Sequence, residues 1–210
     1  VLRKGLTFHD GSPCTSADVV ATFEAILDPK TASPARQNVG PISKVAAKDE
    51  TTVVFTLSAP FADLPVTLAY SNAKILPAPI VKGGLDKLDR QAIGTGPFKL
   101  VSFEPERQVV VTRNEAYYDK ARPYLDRIEV LVFPDPSAEA SALIAGDTDL
   151  LSGTPPTEFG RLQKASGVKA VRLPSGQFCN VNFGCDQKPF NDIRVRQALA
   201  LTVDRAAMVD

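Results

Sequence analysis

The chain has no surplus of charge: 24 Lys and Arg balance 24 Asp and Glu. No global field therefore recruits nucleic acid or an anionic membrane surface. It also has no apolar run approaching the ~20 residues of a membrane-spanning helix. Histidine occurs once, as His9 beside Asp10, and cysteine three times, as Cys14, Cys179 and Cys185. Cys179 and Cys185 lack the close C-x-x-C pairing of zinc sites, and Cys14 has no His near it apart from the His9 segment, so the sequence offers no metal centre. The odd count is compatible with one disulfide and one thiol, or with partners outside these 210 residues. A Gly-x-Ser-x-Gly elbow is missing too, and no cysteine sits in a nucleophile context. No secretory leader is visible, and the chain opens without methionine.

What is present is ordinary for a globular fold, with 44% hydrophobic residues over a length sufficient for one or two cores. The 17 prolines imply many short elements joined by turns. Thr15 followed by Asp18 fits a capping box with Asp in place of Glu, and Val19, Val20, Phe23, Ile26 and Leu27 share one helical face that ends by Pro29. Residues 42–47 and 52–57 flank a polar turn, and Val53, Phe55 and Leu57 alternate with Thr52, Val54 and Thr56, which predicts a hairpin. A second hairpin is expected over 98–104 and 108–113 around Pro105-Glu106. Further strands are expected at 125–133, 168–173 and 177–183. A short helix is read over 60–69, a second from a Ser137 cap to the Gly146 stop, and a third after Asn191-Asp192. Strands and helices interleave without regular βα alternation, so the class is mixed α/β (α+β), with more than one layer.

Three readings carry chemistry. Gly94-Thr95-Gly96-Pro97 could cradle a phosphate, yet a strand follows it where an anion loop needs a helix N-terminus. His9 with Asp147 and Asp149 is the material for a hydrolase, but Phe8-His9-Asp10-Gly11 ends in turn residues, and Gly146-Asp147-Thr148-Asp149 reads as a turn into a strand. The bland reading of His9 and Asp10 is a brace for the turn before the first helix. Along 177–183 the parity puts Cys179, Val181 and Phe183 on an apolar side and Phe178, Asn180 and Asn182 on the other. The second set, one aromatic surface and two amides, suits a ligand pocket; equally, the amides could only fix local backbone. Cys179 is expected to be a buried, unpaired thiol.

The order of these motifs, continuing through Arg113-Asn114 with Tyr117-Tyr118 to Pro189-Phe190-Asn191-Asp192-Ile193-Arg194-Val195-Arg196-Gln197-Ala198-Leu199 and Asp204-Arg205, resembles the extracytoplasmic solute-binding proteins of ABC importers, in the family of dipeptide, oligopeptide and nickel-complex binders. The resemblance implies a periplasmic-binding-protein-like type II lobe of mixed sheets with flanking helices. Residues 1–77 would be a family-specific subdomain of the first lobe, 78–183 its sheet-containing core, and 184–210 the truncated start of a second lobe. It further implies no enzyme activity, no cofactor, a monomer, a periplasmic or extracytoplasmic location, a small peptide-like solute and a membrane permease as partners. It places Tyr70, Ser71 and Asn72 on the ligand-facing wall and Thr95 in a turn near the cleft, and brings the polar face of Phe178, Asn180 and Asn182 to the cleft border. Nickel-complex binders of this family carry arginines near the first of these stretches. Here none lies between Gln37 and Arg90, and Lys74 is the cation of the Tyr70–Lys74 stretch, which favours a peptide-like or other small polar solute over a nickel chelate.

Overall fold

The computed structural model describes residues 1–84, 92–173 and 180–204. They fall into two compact units, Val1–Ala142 and Leu143–Asp210.

In the first unit the core is built on helix α1, Ser16–Leu27. Its start is fixed by Asp18, whose carboxylate accepts from the Thr15 N–H (2.8 Å) and the Thr15 hydroxyl (3.1 Å), as the capping box requires. Val19, Phe23 and Ile26, one turn apart, are buried against Ala35, Val39, Ile42, Val45 and Ala73. A single 3₁₀ turn, Pro29–Thr31, closes the helix where proline forbids its continuation.

Strands β1, Ile42–Ala47, and β2, Val53–Leu57, form the expected antiparallel hairpin. Its turn is organised by Asp49, whose Oδ1 accepts from the N–H groups of Thr51 (2.9 Å) and Thr52 (2.8 Å). These bonds, with that of the Thr51 hydroxyl, hold the exposed Asp49 carboxyl below the usual carboxylate range. The register shifts between Ile42 and Lys44. That bulge lets Ile42 and Val45, three residues apart, both turn inward, which strict alternation would forbid. On β2 the alternation holds, with Val53, Phe55 and Leu57 half-buried and Val54 and Thr56 exposed.

The chain continues through α2, Leu64–Thr67, much shorter than the 60–69 segment expected, and α3, Ala78–Gly83, which was not expected. A separate three-stranded antiparallel sheet follows, in the order β3 (Phe98–Glu104), β4 (Gln108–Arg113), β5 (Arg127–Leu131). In the β3–β4 turn Glu106 adopts the left-handed region, at φ 61°. Strand β5 is shorter than the 125–133 run.

Helix α4, Pro136–Ala145, starts two residues earlier than a Ser137 cap implies. Its cap is Asp135, whose carboxylate accepts from the N–H groups of Ser137 and Ala138 at 2.9 Å each, so Ser137 is the capped residue rather than the cap. Gly146, at φ 83°, ends it as predicted.

The second unit holds α5, Pro156–Lys164, which sequence reading missed, and α6, Ile193–Thr202. Asp192 caps α6 through the Arg194 N–H at 2.9 Å. Residues 168–173 and 180–183, expected as strands, form no ladder among the described residues. A strand is defined by the partner that takes its N–H and C=O groups, and alternating side chains alone do not supply one. Phe178 and Cys179 lie outside the described residues.

Cys14 is buried, and burial with the nearby Asp18 charge pushes its thiol up to about 11. Cys185 is exposed. With a thiol reagent on the native chain at neutral pH, Cys185 is expected to react promptly and Cys14 only once denaturant is added; prompt labelling of Cys14 would contradict this burial.

Candidate functional site

The sequence-predicted ligand residues that the structure describes occupy three local arrangements. Tyr70, Ser71 and Asn72 sit in a turn in which the Tyr70 C=O accepts from the Ala73 N–H at 2.9 Å. Ala73 is 5% exposed and belongs to the α1 core, so it anchors the turn from below and leaves Tyr70, Ser71, Asn72 and Lys74 outside. The following backbone is pinned as well. The Thr22 hydroxyl accepts from the Leu76 N–H at 3.0 Å, and the Asp18 Oδ1 accepts from the Ala78 N–H at 2.8 Å. Asp18 and Thr22 lie one turn apart on α1, so the helix holds this stretch by two polar contacts. A fixed backbone presenting a phenol, a hydroxyl and an amide outward suits recognition of a small polar molecule.

Thr95 lies in the turn that leads into β3, half-buried. Here the Phe8–Gly11 motif does something the sequence did not disclose. Its own turn is closed by backbone bonds from Phe8 to Ser12 and from Gly11 to Phe8, and by Asp10 accepting from the Ser12 N–H and hydroxyl. The His9 ring instead reaches 85 and 87 residues along the chain: Nδ1 is 3.3 Å from the Gly94 nitrogen and Nε2 is 3.0 Å from the Gly96 oxygen. The expectation that His9 and Asp10 together brace one turn is thus half right, because only Asp10 does so. The Gly96 carbonyl also accepts from the Asn114 amide at 2.9 Å. Asn114 is 3% exposed, and its N–H donates to the Pro97 carbonyl. Three motifs distant in sequence meet at one loop, and Asn114 is the residue whose role sequence reading missed. A polar side chain opening a turn directly after a strand was the available signal.

Asn180 and Asn182 are exposed, and the Asn180 amide donates to the Asn182 side-chain oxygen at 3.0 Å. They do lie on one side, as parity predicted. The apolar half of that prediction fails: Val181 is 72% exposed and Phe183 is only half-buried, its ring 5.0 Å from that of Phe190. With no ladder partner for 180–183 among the described residues, nothing covers that side of Val181.

The second unit also carries an open groove of about 1170 Å³ floored by Leu143, Leu151, Phe159, Leu162 and Val171, with Asp149 on its border. None of the ligand candidates among the described residues lines it. Asp147 and Asp149 are exposed. Both His9 ring nitrogens face backbone groups of the Gly94–Gly96 loop. Among the described residues no group of three His, Cys, Asp or Glu side chains could hold a metal ion, and no helix is long and apolar enough to cross a membrane.

Among the described residues, the candidates Tyr70, Ser71, Asn72 and Thr95 are uncharged polar groups carried on backbone held by hydrogen bonds. Over residues 1–210 the sequence matches the bacterial extracellular solute-binding proteins, family 5 Middle, and the chain belongs to that family. It is similar to the glutathione-binding protein GsiB of Escherichia coli O1:K1, at 30% identity over 99% of this chain and 41% of that protein. It is also similar to the probable D,D-dipeptide-binding periplasmic protein DdpA of Escherichia coli K12, at 29% identity over 100% of this chain and 41% of that protein. The structure of NikZ from Campylobacter jejuni in complex with Ni(L-His) superposes with a TM-score of 0.86 at 27% identity, over 99% of this chain and 42% of that one. The chain thus spans about two-fifths of the length of these relatives, and its fold is that of the periplasmic-binding-protein type II lobe.

Proposed function

We propose that the protein is the extracytoplasmic binding component of an ABC import system, which captures a peptide-like or other small polar solute and hands it to a membrane permease without chemical change. The match of all 210 residues to one family of solute-binding proteins carries this reading. Tyr70, Ser71, Asn72, Thr95, Phe178, Asn180 and Asn182 are its proposed ligand contacts, drawn from a first lobe divided at residue 77 and a second lobe starting near residue 184. The protein acts as a monomer. Among solutes, the peptide-like class is favoured by the uncharged Tyr70–Asn72 turn and by the absence of arginine from 38 to 89. The fold likeness to NikZ does not carry that protein's ligand with it. In a two-lobed binder the solute is enclosed from both sides, so the 210 residues alone should bind it poorly.

Mass spectrometry of small molecules that copurify with the full-length protein is expected to release a peptide or similar solute; a nickel chelate would replace this reading by its nearest alternative. Calorimetry with that solute should then give at least a hundredfold weaker binding for residues 1–210 than for the full-length protein, since losing ~3 kcal/mol of contacts has that effect. Equal affinities would rule out capture by a closing cleft.

A further inference from the structure

We infer that His9 and Asn114 are positioning residues that hold the Gly94–Gly96 loop, and Thr95 within it, in one conformation, and that protonation of His9 frees the Gly94 amide and loosens the loop there. To the His9 ring Gly94 offers only an N–H and Gly96 only a carbonyl oxygen, at 3.3 Å from Nδ1 and 3.0 Å from Nε2, while the His9 backbone N–H separately donates to the Gly94 carbonyl at 2.9 Å. The two contacts are satisfied together by a single species, the neutral imidazole with its proton on Nε2. A solvent proton taken up at Nδ1 leaves the Nε2–H bond to Gly96 intact but sets an N–H of the ring against the N–H of Gly94. That amide then loses its acceptor in a half-buried position, an unfavourable state that loop opening relieves. Asn114, buried and donating to the same Gly96 carbonyl, does not titrate and holds the far end of the loop in either state.

The charged groups around the ring are few. Asp10, adjacent in the chain, keeps its carboxyl low chiefly through the Ser12 hydroxyl and N–H, with the His9 charge a smaller contributor. Residues 92–97 contain no titratable side chain, and Glu115, which follows Asn114, is exposed. The release therefore belongs to the imidazole. The inference rests on the proposed function only for its consequence, a pH-dependent placement of Thr95 against solute.

The test needs no solute, so its failure and the failure of solute capture are separate results. Hydrogen exchange of peptides covering residues 92–97, corrected for intrinsic rates, should show about tenfold less protection near pH 5 than near pH 8, the range in which imidazoles change charge, while β4 peptides keep theirs. His9→Gln retains an amide that can donate to Gly96 and cannot titrate, and its loop protection should be independent of pH. Equal wild-type protection at both pH values, or the same fall in His9→Gln, overturns the inference. Should that variant not fold, the wild type still decides: His9 is the chain's single histidine, so its ring nitrogen resonances are unambiguous. They should report the Nε2–H tautomer near neutral pH, and the Nδ1–H tautomer would overturn the inference as well.

Discussion

Replacing Phe23 by Ala is expected to lower the stability of the first unit by about 3–5 kcal/mol, the usual cost of removing a phenyl ring from a packed core. Phe23 is 2% exposed and stands at the centre of the contact between α1 and the β1–β2 hairpin, with its ring edge-on to Phe55 at 5.0 Å between centroids. The surrounding residues, Val39 and Ala35 among them, are themselves fully buried and fixed by backbone bonds, so the cavity cannot close by simple collapse. Since a domain has only ~5–15 kcal/mol in total, much of the unit's stability is at stake. Urea unfolding followed by circular dichroism measures the effect as a fall in midpoint at constant slope. Phe103→Ala, at a position 43% exposed, is the control and should cost less than about 1 kcal/mol. Comparable losses at both positions would mean that the α1–hairpin contact is not the core of this unit.

The second large effect is expected at Asp18. One carboxylate serves the start of α1, through the Thr15 N–H and hydroxyl, and the start of α3, through the Ala78 N–H. At 6% exposure it cannot be replaced by water without rearrangement. Asp18→Ala leaves two backbone N–H groups without acceptors, and the lost cap together with the unsatisfied donors amounts to about 2–4 kcal/mol. Hydrogen exchange separates this from a general loss of stability. The Ala78 amide should lose protection beyond the global change, along with the backbone leading to the Tyr70–Lys74 turn, while β4 follows the global change alone. If Ala78 retains its protection, the carboxylate is not what holds α3.

Gly40 shows how tightly the same core is built. It adopts φ 84° and a Cβ there would lie 2.6 Å from the Phe61 ring, so both the backbone region and the approach of the ring require glycine. Nothing local announced this. Phe61 is brought to Gly40 by the path of the chain through β1 and β2, and only the folded chain reveals the contact.

The elements that were legible share one property, which is that their partners are near in sequence. The α1 capping box spans three residues, the two hairpins close over short turns, and Gly146 and Asp192 act within one turn of the helix ends they define. Helix α5 was legible but not read. Pro156 at its start, Glu158 in the first turn and Arg161 and Lys164 in the last are the usual marks, and Leu162 is its buried residue. The strand readings at 168–173 and 180–183 failed for a different reason. Alternation states which way side chains point if a strand forms, whereas a strand forms only when another takes its hydrogen bonds.

By itself the sequence determined the family and the mixed α/β class, because motif order and local periodicity are properties of neighbouring residues. The tertiary structure alone decided the long-range partners of His9, Asn114 and Asp18. Each of them bonds to backbone lying 18 to 87 residues away, at Gly94, Gly96 and Ala78. A long-range hydrogen bond depends on the distance between two points brought together by a common core, and no pattern within either segment encodes that distance.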